Sequence, residues 1–358
     1  MTDWHGKPYY SLDAYCKNTY KHKLYKIALN AHLTCPNRDG HLGLRGCIFC
    51  SAGGSGEFAA SMPSATEFAA IPLENYPTAA TPPPTEGFPL EGSSLTNSEL
   101  SHDYCDDAWD ISRQLQEGLA LFGDKKIGEE YIAYFQAFTN TYGPLPYLET
   151  IYRSALSHPR VRGISIATRP DCVEEPVIEL LKKLQEEFPA KFIWIELGLQ
   201  SIHEKTASYI RRGYPLKTFE DAYARLSTAG FPVIIHLILG LPTESHEEML
   251  QSVKWVSHLH PFGVKLQLLH VLRGTDLEAE YLAGRFETLT KEAYLSLLSE
   301  CIANLDPEIV IHRVTGDGRG TDLSAPDWSR NKKDVLNSLH HLLKEKNIRQ
   351  GCHCEEKP

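Results

Sequence analysis

Short apolar runs of strand character alternate along this chain with segments whose apolar residues recur at helical spacing. Strand-like runs lie at 26–30, 131–138, 163–168, 192–199, 233–239 and 264–271. Between them, Ile111/Leu115/Leu119/Phe122, Leu148/Ile151/Tyr152/Ala155 and Val177/Leu180/Leu181/Leu184 each mark one face of a helix. Six such units imply parallel strands covered by helices, because each strand must return through a crossover to run the same way. The expected fold is α/β, a partial (β/α)6 TIM-like barrel. In a parallel barrel, chemistry gathers at the carboxyl ends of the strands. Beyond the sixth unit, a helix at 289–305, a strand at 308–314, a Gly-containing loop at 315–320 and a helix at 333–346 are expected to form an α/β extension over the open side.

The first strand runs into a loop that carries Cys35, Cys47 and Cys50 in the stretch TCPNRDGHLGLRGCIFCS. Four thiolates would close a zinc or iron–sulfur site, whereas three leave one corner of a cubane cluster open to a small molecule. Gly40, Gly43 and Gly46 let the loop wrap such a group. The alternative is a structural zinc loop, or a fourth ligand supplied by Cys16, Cys105 or Cys172.

With 358 residues the chain suits one barrel with extensions. The expected organisation is an N-terminal segment (1–23), a barrel (24–274) interrupted by an acidic low-complexity insertion (59–106), an extension (275–346) and a flexible tail (347–358). The lysine-rich start is no signal peptide, and the apolar run 231–241 is too short for a membrane span, so a cytoplasmic protein without a membrane partner is expected. Nine cysteines in such a chain argue for metal binding or reactive thiols over disulfides. Between Glu57 and Asp110 there are ten acidic residues and no Lys or Arg. Removing those ten from the 46 acidic residues leaves 36, equal to the 36 lysines and arginines, so the net charge of −10 resides in one segment. The remainder is free to carry a basic face.

Several blocks then occur in order: LNAHLTCPNRDG, CIFCSAGGSGEF, YIAYFQAFTNTYGPL, ISIATRPDC, WIELGLQSIHEKT, HLILGLPTES, LLHVLRGT, HRVTGDG and APDWSRNK. Together they resemble a bacterial family of radical S-adenosylmethionine (radical SAM) enzymes, similar to the radical SAM subunit of Elongator and to the oxygen-independent coproporphyrinogen oxidase branch. The likeness runs from Leu24 to about Leu343. It implies a [4Fe–4S] cluster on Cys35, Cys47 and Cys50, with S-adenosylmethionine on the open iron. A one-electron reductant of flavodoxin or ferredoxin type and an oxygen-sensitive activity are implied with it. The Elongator branch further implies tRNA as substrate, the wobble uridine being converted from carboxymethylaminomethyl to aminomethyl. A small carboxylated or porphyrin-like substrate held by Arg169 and Arg273 is one rival, and a non-catalytic iron–sulfur sensor is another.

Within the blocks, cofactor contacts are expected at strand ends. Gln136, Thr139 and Asn140 stand at the end of the second strand, where the superfamily often has Gly-Gly-Glu, and would bond the methionine ammonium. Arg169 after the third would pair with a carboxylate. Glu196 and Gln200 share one face of the fourth strand, and their oxygens suit ribose hydroxyls. A buried Glu196 needs a partner, so a structural ion pair is its alternative. Gly240 ends the strand that resembles the superfamily's adenine site, while His236 and His270 read as core histidines or ligands. The loop residues Arg313, Asp317, Arg319, Asp327, Trp328 and Arg330 suit a polar substrate or a tertiary hydrogen-bond cluster. Arg211-Arg212 and Lys332-Lys333 suit phosphates or plain surface, and Cys352 and Cys354 at the frayed end read as incidental thiols or a minor metal site.

Overall fold

A computed structural model describes residues 3–54, 111–123, 127–316 and 320–354. The 59–106 insertion, Cys105, Asp317 and Arg319 lie outside the described residues. Seven parallel strands form a curled half-barrel: β1 (Tyr25–Leu29), β2 (Tyr131–Phe135), β3 (Val161–Thr168), β4 (Phe192–Gln200), β5 (Val233–Leu239), β6 (Gly263–Leu268) and β8 (Val310–Arg313), side by side in that order. A short strand β7 (Val271–Leu272) pairs antiparallel with β9 (Leu323–Ala325). The helices are α1 (Leu12–Tyr20), α2 (Ile111–Ala120), α3 (Leu145–Ser157), α4 (Glu175–Glu187), α5 (Glu204–Tyr209), α6 (Leu216–Thr228), α7 (His246–His258), α8 (Asp276–Leu282), α9 (Lys291–Ala303) and α10 (Lys332–Glu345).

Two sequence expectations change. The second strand stops at Phe135 because Phe138 takes a positive φ of 60° and its N–H turns to Gly54 O (2.9 Å) in the cysteine loop. The sixth splits after Leu268, so that Val271 and Leu272 leave the barrel to pair with 323–325. The strand expected at 308–314 joins the sheet beside β6, making a seventh stave.

Alternation along the strands decides what lies inside. Ile27, Phe135, Ile166, Leu197, Ile235 and Leu266 belong to the large core between the sheet and its helices. On the concave face, Ile132, Trp194 and Ile234 form the lowest layer. Trp194 stacks on Phe192 at 4.1 Å between ring centres and meets Phe262 at 5.0 Å and Tyr15 of α1 at 5.9 Å. This aromatic plug closes the amino end of the lumen and leaves the carboxyl end as the entrance.

Residues 347–354, expected to be a flexible tail, are tied to the body instead. The buried Gln350 side chain accepts from Tyr10 N–H (2.8 Å) and donates to Asp306 O (2.7 Å) and Ile309 O (2.8 Å). His353 N–H reaches Ala303 O at 2.9 Å.

Candidate functional site

The loop after β1 folds over the carboxyl ends of the strands. Arg38 shapes it, its Nη2 donating to Cys50 O (3.0 Å) and Ser51 O (2.5 Å), while Gly46 N–H returns to Asn37 O at 2.7 Å. Outward ties come from Ile48 N–H to Ile210 O (3.2 Å) and from Thr139 N–H to Thr34 O (3.2 Å). These bonds bring Cys35, Cys47 and Cys50 onto one side of a pocket with about 930 Å³ of empty volume, counting its open mouth.

No three His, Cys, Asp or Glu side chains among the described residues converge on a point that one ion would occupy. A tetrahedral zinc would need ligands about 2.0–2.3 Å from a common centre. A cubane asks only that each thiolate reach a different iron, and three cysteines lining one pocket suit that requirement. Donor chemistry agrees. The Cys47 thiol is held well above its ordinary pKa by its hydrogen bond to Cys50, by burial, and by the nearby Cys50 and Cys35. Three mutually repelling thiolates become stable together when cationic iron sits among them. Cys352 and Cys354 do not line this pocket, and Cys16, Cys172 and Cys301 are buried cysteines without a disulfide.

Of the residues expected at strand ends, Gln136, Thr139, Arg169, Glu196 and Gln200 line this pocket with the cysteines. Asn140 and Gly240 are not among the lining residues. Asn140 is fully buried and braces β2 to β3, its Nδ2 donating to Phe135 O (3.1 Å) and Ala167 O (2.9 Å). Gly240 N–H meets Met249 Sδ at 3.0 Å. Gln200 ends β4 at a register shift with a φ of 63°, and the Tyr214 hydroxyl, donating to Gly198 O (2.8 Å), lies 3.3 Å from its Oε1. Arg169 is buried in a bidentate pair with Asp171 (2.9 and 2.6 Å) and donates to Arg212 O (3.0 Å); despite burial, that pairing holds it firmly protonated.

Glu196 forms the pocket floor. Lys26 Nζ and Ser165 Oγ (2.6 Å) bond its Oε1, while Lys265 Nζ and His236 Nε2 (2.7 Å) bond its Oε2. Lys265 also donates to the Tyr134 hydroxyl at 2.9 Å. Burial would raise the carboxyl pKa, but Lys26, Lys265 and the bond from His236 outweigh it and keep the group ionised. Burial, aided by Lys265, lowers His236 to about 4, so its ring is neutral with Nε2–H on the carboxylate.

Some expectations are corrected. Arg212, grouped with surface or phosphate-binding arginines, is buried and donates to Tyr214 O (2.9 Å), Leu199 O (3.1 Å) and Ser201 O (2.7 Å). Arg273, expected with Arg169 to hold a carboxylated substrate, is exposed and does not line the pocket; Arg313 and Gln267 do. Trp328 is spent on packing, its Nε1–H bonding Leu289 O (3.0 Å) and its ring lying 5.6 Å from Tyr294, while Arg330 pairs with Asp327 at 3.0 Å. His270 contacts Ser329 Oγ at 3.2 Å, away from the pocket lining. Tyr134, Gln267 and Asn37 were not anticipated; strand parity counted from Gln136 and Lys265 would have found the first two.

Among the described residues, no helix is long and apolar enough to cross a membrane. Residues 43–256 match the family model described as the Radical SAM superfamily, and residues 261–345 match the Radical SAM C-terminal domain. A Bacillus subtilis protein called "Uncharacterized protein YtqA" is 34% identical over 345 residues, covering 96% of this chain and 92% of its own. Elongator complex protein 3 of Saccharomyces cerevisiae is 25% identical over 297 residues, which is 81% of this chain and 51% of that protein, so the match spans about half of its length. The solved structure of archaeal Methanocaldococcus infernus Elp3, lacking its N-terminus, aligns with a TM-score of 0.56 at 20% identity, over 67% of this chain and 59% of that one. That last likeness concerns the fold alone.

Proposed function

The chain belongs to the radical SAM superfamily, and from that premise we propose that Cys35, Cys47 and Cys50 hold its [4Fe–4S] cluster, with S-adenosylmethionine bound in the adjoining pocket. The protein is an enzyme whose cofactors are that type of cluster and S-adenosylmethionine. Held there, the cluster and S-adenosylmethionine would supply one-electron reductive cleavage of the C5′–S bond and hydrogen-atom abstraction from substrate. The chain's own part is to bind, orient and exclude water. Gln136 and Thr139 are assigned to the methionine end and Gln200 to the ribose. Arg169, locked to Asp171, presents charge beside Cys35 without swinging out. Asn140, outside the pocket lining, braces β2 to β3 beneath these residues. A sensor that merely carried a cluster would have no use for polar strand ends aligned beside it; that alignment is the observation that carries the reading.

The substrate assigned is tRNA, at a wobble uridine whose carboxymethylaminomethyl group becomes aminomethyl. The ordered blocks resembling the Elongator branch support it, as does the relative called Elongator complex protein 3. A small carboxylated substrate is the second reading, favoured by Arg313 and Gln267 in the pocket wall. A flavodoxin- or ferredoxin-type reductant and a cytoplasmic location accompany both. Anaerobic reconstitution, reduction and quantification of 5′-deoxyadenosine, with and without bulk tRNA bearing the unprocessed uridine, tests this. Release that rises with the tRNA, together with a mass change in the nucleoside, is expected. Release indifferent to tRNA removes the tRNA assignment, and none under any condition removes the cofactor site.

A further inference from the structure

Asn37 lies two residues after Cys35 and is 5% exposed. Its Nδ2 donates to Arg211 O at 2.7 Å, approaches Arg212 O at 3.3 Å, and stands 3.4 Å from Cys47 Sγ. Two carbonyls on the same side fix the amide orientation, since the oxygen cannot face them. The NH₂ has two protons. One satisfies Arg211 O, and the other is directed at the region shared by Arg212 O and the sulfur. Local sequence makes room for this. Gly213 has a φ of 85°, and a Cβ there would lie 2.7 Å from Asn37 Oδ1, so a side chain at 213 would push the amide away from Cys47.

We propose that Asn37 is a positioning residue for the cluster, donating a hydrogen bond to the Cys47 sulfur and raising the reduction potential of the iron–sulfur group. This rests on the reading that Cys47 is a cluster ligand. A donor to a ligating sulfur withdraws electron density from it and favours the reduced, more negative cluster; hydrogen bonds to the sulfurs are among the main determinants of iron–sulfur potentials. Direct ligands are spaced for iron, but Asn37 is spaced for sulfur, and no other described side-chain amide is placed to donate to it. Through Arg211 and Arg212 the same amide ties the loop to the segment after α5, so the bond is held by backbone and not by a mobile chain. Arg212, whose guanidinium spans Leu199 O and Ser201 O, anchors that segment in turn to the end of β4.

The test is a potentiometric titration of the anaerobically reconstituted protein, following the reduced-cluster electron paramagnetic resonance signal, for wild type, Asn37→Ala and Asn37→Gln. Iron and sulfide content are measured on each sample. Asn37→Ala should keep four irons per chain and titrate at a more negative potential. Its 5′-deoxyadenosine formation should fall several-fold with a weak reductant and recover with a strong one. Asn37→Gln, which keeps an amide donor, should lie between. In a second measurement, wild type grown with ¹⁵N-asparagine should show a nitrogen hyperfine coupling to the reduced cluster. A loaded Asn37→Ala protein with wild-type potential overturns the proposal. So does wild type without that coupling, whatever the variants do. A wild type that takes up no cluster overturns the ligand assignment instead, and the inference falls with it.

Discussion

Glu196 was assigned to the ribose hydroxyls with a structural ion pair as the alternative, and its surroundings in the fold are those of the ion pair. Its strand parity placed it in the lumen, and it lines the pocket, yet both oxygens are engaged by Lys26, Lys265, Ser165 and His236. The two lysines come from β1 and β6, far apart in sequence, so only the curl of the sheet reveals them. Removing the carboxylate takes away the charge that holds protons on Lys26 and Lys265, whose pKa values burial already lowers, a loss of about 3–5 kcal/mol. We therefore expect Glu196→Gln to lower the unfolding free energy by that order in urea titrations of the metal-free protein. Pairing it with Lys265→Met should cost less than the two single changes combined; simple additivity would refute the ion-pair account. His236 supplies a pH signature. Its folded pKa near 4 lies below the ordinary 6.5, so the native state binds fewer protons than the unfolded chain between those values, and stability falls as pH drops through that window. His236→Gln should flatten the dependence between pH 6.5 and 4 by up to about 3 kcal/mol. An unchanged slope would mean that the ring is protonated in the native protein.

At the level of elements, strand ends were legible because burial and period-two alternation act over a few neighbouring residues. Val233–Leu239 coincides with its expected span, and Phe192–Gln200 runs one residue beyond. What was not legible depends on contacts between loops. The second strand stops early because the cysteine loop supplies Gly54 O to Phe138, a partner more than eighty residues earlier in the chain. Asn140, five positions after the strand end, has a ligand's chemistry but turns its amide into the β2–β3 backbone. The close approach at Gly54 is testable. Its φ of 57° disfavours any side chain, and an added Cβ would stand 2.3 Å from the Phe138 ring. Gly54→Ala should move Phe138 and with it the loop lid over the pocket. The expected result is a folded protein with near-native circular dichroism and at least a several-fold loss in iron incorporated per chain. Full incorporation with normal 5′-deoxyadenosine release would show that loop and strand end are independent.

For the whole molecule, the question is how an open half-barrel protects its outer edge. β8 is the last stave, and its free side would expose unpaired backbone groups of the kind that invite edge pairing. The N-terminal segment covers it: Ile311 N–H donates to Tyr10 O at 2.7 Å, and Ser11 forms a parallel bridge to Ile311. Gln350 then fastens that cover from the other end of the chain, linking Tyr10 to Asp306 and Ile309 at the entry to β8. Sequence inspection places 347–358 in a polar tail, since a lone glutamine among charged residues carries no periodic signal. Its importance comes from three backbone groups that converge on it only after both termini have docked. Each buried hydrogen bond contributes about 1 kcal/mol net, and unsatisfied partners cost more, so Gln350→Ala should lower stability by about 2–4 kcal/mol. Glutamate at this position separates that account from simple loss of packing. Its oxygens can accept from Tyr10 N–H, but they would face the carbonyls of Asp306 and Ile309, where the amide now donates. Gln350→Glu is nearly isosteric and should nevertheless destabilise at pH 7 more than Gln350→Ala, with part of the difference recovered on acidification as the carboxyl gains a proton to donate. If thermal unfolding instead ranks the glutamate variant above the alanine one at neutral pH, the amide is not the clasp between the two ends of the chain.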